Sequence, residues 1–407
     1  MANEKGRDDA RFLGAAQGMG SMAMDEVFTT RPEIRGRFGV VTCTHWIASA
    51  AGMNMLESGG NAFDAAVSTA FALQVVEPHL NGPGGEAPII FYDANSEEVK
   101  VICGHGPAPS AATFKHFRDI GVSVVPGSGL LPGCVPGAFD AWMTLLRDYG
   151  TKSVCDVLTR AIDLARNGYP VLPRIPPLLG MLRDLFETEW TTSAEVYLKN
   201  GEIPRSGSLF TNPLIADTYE RIIKESKSVD GNRECQIDKA RETFYKGFVA
   251  EEIDRFYRSE VLDTTGQRQC GLLTGEDMAN WQAPVEEPLT YDYLGHQVCK
   301  PQSWSQAPVF LQQLALLKNF DLSSMEPNGP DFIHTVVECN KLAMADREKF
   351  YGDPTYVDVP FDTLLSDGYN DLRCKLVGGD ASYELRPGDV DDYGGPTFFK
   401  TLADVDF

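Results

Sequence analysis

The segment Ala62 to Val76 is apolar on nearly every side of a helix: Ala65, Ala66, Val67, Ala70, Phe71, Leu73 and Val76 leave no polar stripe for solvent. Such a helix lies buried between layers rather than on a surface, which predicts a domain built as a layered sandwich. Asn61 is placed to cap its first turn, and the charge of Asp64 suits the positive helix end. Before it, Trp46 to Glu57 reads as another helix, with Ala48, Ala51, Met55 and Leu56 on one face and Gly59 as the terminating residue. After it, Val75-Val76-Glu77-Pro78-His79 leads into the Gly-rich turn Asn81-Gly82-Pro83-Gly84-Gly85-Glu86-Ala87.

The rest of the chain mixes both kinds of element. Gly39 to Thr44 reads as a short β-rich run, and Pro88 to Tyr92 with Val99 to Cys103 reads as a β-hairpin whose second strand ends at Gly104-His105-Gly106-Pro107. Helical patterns follow at 138–148 and 153–167, and 173–260 reads as a mostly helical lobe. Thr274 with Asp277 forms a capping pair for a short helix reaching Trp281, Leu289 to Val298 resumes strand character, and two more helices fall near 306–320 and 330–350. Three units are expected: a flexible arm over 1–35, a core over 36–380, and a Gly-, Pro- and Asp-rich tether over 381–407. Asp389, Asp391 and Asp392 are read as solvated surface on that tether.

Composition excludes several classes of partner. The formal net charge of -22 repels phosphate backbones and anionic lipid, which argues against nucleic acid and membrane partners. No apolar run is long enough for a membrane helix, and the polar start Met1 to Asp9 lacks a secretory apolar core, so a cytoplasmic protein is expected. The nine cysteines are scattered without a C-x-x-C pair or a short Cys/His cluster, so they are expected as buried reduced thiols, with no metal and no organic cofactor implied. The histidines show no spacing that joins them to an acid and a Ser or Cys as a local nucleophilic triad.

Taken together and in order, these pieces resemble the large subunit of the gamma-glutamyltranspeptidase family over about residues 39 to 365. The likeness is carried by Gly59-Gly60-Asn61-Ala62 with Asp64-Ala65-Ala66, Glu77-Pro78-His79, Val135-Pro136-Gly137 and Phe244-Tyr245-Lys246-Gly247. It continues through Leu342-Ala343 with Ala345-Asp346-Arg347 to Gly352-Asp353-Pro354 and Val357-Asp358-Val359-Pro360. On geometry alone, Asp346 and Arg347 are expected to pair with each other. The resemblance implies an N-terminal-nucleophile hydrolase of mixed α/β (α+β) class, a four-layer αββα sandwich completed by a small subunit from the same precursor. In that family the nucleophile is the N-terminal Thr of the small subunit, so no catalytic residue is expected in this chain, and Phe407 is the expected self-cleavage position. A dimer of such heterodimers is an open possibility.

Three departures from the family pattern bear on substrate. His105 stands where the family carries an arginine that holds the donor's alpha-carboxylate, and imidazole lacks the planar, permanently charged fork that makes a bidentate clamp. Either the substrate lacks that carboxylate, or another basic residue supplies the contact, or His105 merely packs at a strand end. Glu86 and Ala87 replace glycines of the turn, which reshapes or narrows the pocket. The segment from Lys300 to Pro308 puts Trp304 where it either walls an acyl pocket or anchors the next helix. His105, Gly106, Asn81 and Gly82 are the expected substrate contacts. The expected substrate is a small-molecule amide, gamma-glutamyl or another N-acyl group of cephalosporin-acylase or oxamate type. A non-catalytic scaffold relative is the rival from a different class.

Overall fold

The computed structural model describes residues 33–390. The chain divides at Val40, and residues 33–40 form no helix or strand. The Gly39 to Thr44 run is not a strand either. An isolated extended run has no ladder to join unless another strand lies beside it, so its β-rich composition is not enough. Phe407, Asp391, Asp392 and residues 1–32 of the arm lie outside the described residues.

The predicted buried helix is present. Helices α1 (Trp46–Glu57) and α2 (Ala62–Val76) pack against each other, and α2 buries most of its length, including Phe71 and Val76 at 0% exposure. Its start matches the expected cap: the Asn61 side chain accepts from Phe63 N and Asp64 N, while Asp64 Oδ2 accepts from Asn61 N at 2.8 Å. Asp64 does more than the helix end requires. Its carboxylate also takes Thr151 N, Thr151 Oγ1 and Lys152 N at 2.8 to 2.9 Å, tying the start of α2 to a loop that is remote in sequence.

Against α2 pack α3 (Ala138–Tyr149) and α4 (Val154–Asn167), followed in the chain by α5 (Ile175–Thr188), α6 (Thr191–Tyr197), α7 (Pro213–Ser226), α8 (Arg233–Tyr245) and α9 (Phe248–Tyr257). Their apolar faces share one core in which Phe139 stacks on Phe244 at 4.4 Å, and Phe71 meets Phe139 and Tyr219 edge-on. The helices of 173–260 therefore contribute to the same core as α2. The helix α10 (Gly275–Ala279) opens with the expected Thr274/Asp277 capping box.

One antiparallel sheet covers this helical layer. Strands β1 (Ile89–Asp93) and β2 (Glu98–Ile102) pair with Ile89 opposite Ile102, and β3 (Val285–Glu286) continues the order on the far side of β2. The expected run from Leu289 to Val298 is instead a hairpin, β4 (Leu289–Tyr293) with β5 (His296–Lys300). Its tight turn places Leu294 and Gly295 at φ 54° and 83°. A leucine in the left-handed region is uncommon, and composition hid the turn.

A smaller apolar cluster joins α11 (Pro308–Leu317), α12 (Pro330–Phe350) and α13 (Asp367–Cys374). Here one expectation is corrected: Asp346 does not pair with Arg347. Asp346 is fully buried and accepts from Arg373 Nη2 at 3.0 Å, whereas Arg347 turns outward to Glu348 at 3.0 Å. Adjacent helical residues point about 100° apart, so neighbours in sequence rarely face one partner. The cysteines also depart from expectation. All nine are free, but only Cys103, Cys339 and Cys374 are buried, and Cys134, Cys235 and Cys270 are exposed. Asp389, read as solvated, is half-buried.

Candidate functional site

The end of β2 is held by two backbone segments, 85–87 and 135–138, packed at glycine distance. Ala87 N donates to Gly104 O at 3.1 Å, Val135 N donates to Pro107 O at 3.0 Å, and Gly137 N and Ala138 N both donate to Gly85 O at 3.0 Å. A Cβ on Gly104 would run into the Ala87 carbonyl, and one on Gly106 would run into the Val135 carbonyl. Only glycine fits either position, so the two glycines around His105 fix where its backbone lies.

From that fixed backbone the His105 ring meets Trp304, with centroids 4.9 Å apart and planes tilted by 57°. Its Nε2 lies 3.5 Å from Glu86 Oε2. Trp304 Nε1 donates to Glu286 Oε2 at 2.8 Å, so β3 orients the indole that the histidine faces. Trp304 is half-buried and lines a cavity, four residues before α11 begins.

These groups line a cavity of about 730 Å³, whose opposite side comes from the end of α12 and the turn after it. Arg347, Tyr351 and Asp353 belong to that side. Sequence reasoning took the Arg347 region as a fold signature only; its helical phase relative to buried Asp346 was the available sign that Arg347 faces elsewhere. The Tyr351 hydroxyl is buried without a hydrogen-bond partner among the described residues, and burial pushes its pKa up. It is a neutral donor at physiological pH. Burial also pushes the Cys103 thiol to about 11, which keeps this cavity sulfur protonated and unreactive near neutrality.

Of the four expected contacts, His105 and Gly106 line the cavity, and Asn81 and Gly82 are not among its walls. Asn81 N donates to Glu77 O, and Gly82 O accepts from Gly85 N, so both serve the turn that precedes β1. Beneath that turn sits a buried polar group that the sequence did not announce. His45 Nδ1 caps α1 by accepting from Ile47 N at 3.1 Å, and Thr44 Oγ1 donates to Glu77 Oε2. Burial lowers the pKa of His45 and of His79, keeping both neutral near pH 7. Among the described residues no group of three or more His, Cys, Asp or Glu side chains could hold a metal ion.

Residues 48–402 match the Gamma-glutamyltranspeptidase family profile. The glutathione hydrolase proenzyme of Bacillus subtilis (strain 168) is 31% identical over 91% of this chain and 62% of its own length. Among solved structures, LmbA2991HD is similar with 49% identity and a TM-score of 0.87, covering 92% of this chain and 63% of that one. A cephalosporin acylase from Bacillus halodurans is 28% identical with a TM-score of 0.73, covering 90% and 65%. The chain thus spans between 62% and 65% of the length of each of these relatives. The fold is that of the N-terminal-nucleophile hydrolases, and the chain belongs to the gamma-glutamyltranspeptidase family.

Proposed function

We propose that this chain forms the large-subunit part of a self-processed amide hydrolase or acyltransferase, whose attacking hydroxyl belongs to a Thr at the start of a second chain from the same precursor. The observation that carries this reading is the cavity beside His105, which has room for a small molecule yet offers no activated nucleophile among the described residues. The His105 ring faces Trp304 and Glu86 rather than a hydroxyl or thiol, and the Cys103 thiol is held protonated. Its volume falls in the range usual for small-molecule sites. The relative named a proenzyme supports processing. So does the sheet: among the described residues β1 is an edge strand, and its own residues Ile90 and Tyr92 leave 44% and 58% of their surface exposed. An edge of that kind suits strands contributed by the second chain.

In the proposed reaction the Thr hydroxyl oxygen bonds to the amide carbonyl carbon while its own alpha-amine takes the proton, and backbone N–H groups stabilise the oxyanion. The C–N bond then breaks, the amine leaves with a proton, and water or another amine resolves the acyl ester. Substrate choice follows from the missing clamp. Arg347 is the cavity's permanent cation, and Glu348 already occupies one of its nitrogens, while Glu286, Glu348 and Asp353 are acidic. That balance favours an acyl group without a free carboxylate, as in an acylase, over a gamma-glutamyl donor.

Expression of the complete precursor, mass analysis of its products and a panel of amides with and without a gamma-glutamyl group test the reading. Two chains from one gene and faster turnover of the amides that lack a free carboxylate are expected. Full turnover by this chain purified alone would overturn it. His105→Arg is expected to raise gamma-glutamyl kcat/KM about tenfold, the equivalent of one charge-assisted hydrogen bond.

A further inference from the structure

Residues 382–388 lie across α12 as a strap fastened to two of its buried carboxylates. At one point Arg386 Nη2 donates to Glu338 Oε2 at 2.9 Å, Ser382 N donates to Glu338 Oε1 at 3.2 Å, and Lys341 Nζ bridges Glu338 Oε1 and Ser382 O. Two turns further along the helix, Asp346 Oδ1 accepts from Gly388 N at 2.7 Å, while Lys349 Nζ donates to Gly388 O at 2.8 Å. Glu338 and Asp346 are 1% and 0% exposed. A Cβ at Gly388 would collide with the Tyr369 hydroxyl, so the strap is seated at glycine distance.

An irregular surface segment does not need this arrangement for stability. Buried ion pairs add little over apolar packing of the same volume, whereas they do discriminate one position from others nearby. The large apolar side chains of the segment are not what seats it, since Tyr383 is 99% and Leu385 42% exposed while the buried residues are Arg386, Pro387 and Gly388. What the arrangement achieves is placement. Asp346 holds Gly388, and the very next residue, Arg347, lines the cavity together with Tyr351. The last turns of α12 therefore carry the strap on one side and the site wall on the other.

We propose that Glu338, Asp346 and Arg386 are positioning residues for self-cleavage: they fix the point from which the chain departs toward its scissile bond, beside the cavity where the Thr will act. This rests on the self-processing reading above. In that step the Thr hydroxyl oxygen bonds to the carbonyl carbon of the residue before it, the peptide C–N bond breaks, and the nitrogen keeps the displaced proton as the new amine. Water then hydrolyses the ester. An intramolecular attack of this kind depends steeply on placement, and a displacement of about 1 Å lowers its rate about a hundredfold.

The test follows freshly synthesised full-length precursor by mass spectrometry, comparing wild type, Glu338→Leu/Arg386→Met, and Arg386→Lys. Processing, turnover per matured active site and Tm are measured on each. The double substitution replaces both charges by apolar volume, so it is expected to fold with Tm little changed and to process about a hundredfold more slowly. Matured turnover should stay at the wild-type level, and Arg386→Lys, which keeps the ion pair, should restore most of the processing rate. If the wild-type precursor never self-cleaves, the underlying reading fails and the proposal with it. If wild type cleaves and the double variant cleaves equally fast, the strap is structural and only the proposal falls. A parallel drop in Tm, processing and turnover also overturns it.

Discussion

The helical core under the β1–β2 sheet and the C-terminal region around α12 are held together by opposite means. In the first, Phe71, Phe139, Tyr219 and Phe244 pack ring against ring, with one buried ion pair, Arg241 and Asp140, at its margin. In the second, a small apolar cluster is crossed by buried charge: Asp346 meets Arg373, Tyr369, Gln312 and Gly388 N, and Glu338 meets Arg386 and Lys341. Apolar burial is non-directional, so it fixes how helices stack but tolerates small slips. Hydrogen-bonded charge is directional, and it is used where an irregular segment with little apolar surface must occupy a single position.

The largest contrast is in how each region responds to losing one group and then both. Asp346→Ala removes the buried acceptor shared by the Arg373 guanidinium, the Tyr369 hydroxyl, the Gln312 amide and the Gly388 N–H, and is expected to lose about 5 kcal/mol in urea unfolding. A loss below about 1 kcal/mol would mean that water already reaches the network. Phe139→Ala in the helical core should lose about 3 to 4 kcal/mol by cavity formation, and Phe139→Leu should recover much of it because volume is what matters there. No single substitution at Asp346 should recover as well. An Asp346 isostere that did so would erase the distinction between the two regions.

The same contrast explains what was legible in the sequence. Periodicity exposed α1, α2, α3, α4 and the β1–β2 hairpin because each announces itself within a few neighbours, and Asn61 with Asp64 announced a helix start. Nothing local told that Asp64 would also hold Thr151, that Asp346 would choose Arg373 over Arg347, or that Glu338 would reach Arg386. Those partners are brought together by the fold and carry no pattern at short spacing. At the site, His105 was legible as an exchanged residue and Gly106 as its neighbour, while Arg347 and Tyr351 were not, since their helix packs across the cavity from a distant part of the chain.

Acid should separate the regions by pH. Burial lowers the pKa of His45 and His79 in the folded chain, so below the unfolded value of about 6.5 the unfolded state takes up protons first. Stability contributed around the start of α1 and the Gly-rich turn is therefore complete above that pH and declines as pH falls toward the folded values. For Glu338, burial pushes the pKa up, but the bonds from Lys341 and Ser382 and the charge of Arg386 outweigh it and hold the carboxyl low. Its contribution persists above about 4.3 and is lost only as pH falls through the depressed folded value. Hydrogen exchange at pH 7, 5.5 and 4 should show the amides near His45 loosening before those of 382–388. The reverse order would contradict the assignment of the strap to charge.

The smallest effect is one that should not differ between the regions. Asn61→Ala removes the cap of α2 in the helical core, and Ser366→Ala removes the cap of α13, where the serine hydroxyl accepts from Tyr369 N at 3.3 Å. A helix start has the same unpaired N–H groups wherever it lies, so each cap by itself is expected to contribute about 1 kcal/mol by thermal unfolding. Asn61 also donates to Tyr149 O at 2.7 Å, which adds a tertiary bond that Ser366 does not match beyond its own turn. Replacing Asn61 by Ser, which keeps the cap and drops that bond, isolates the difference. If the Asn61→Ala loss minus the Asn61→Ser loss matches the Ser366→Ala loss near 1 kcal/mol, helix ends behave alike in the two regions and their divergence lies in what crosses between elements. A much larger loss at Ser366 would place it in the local stability of α13 instead.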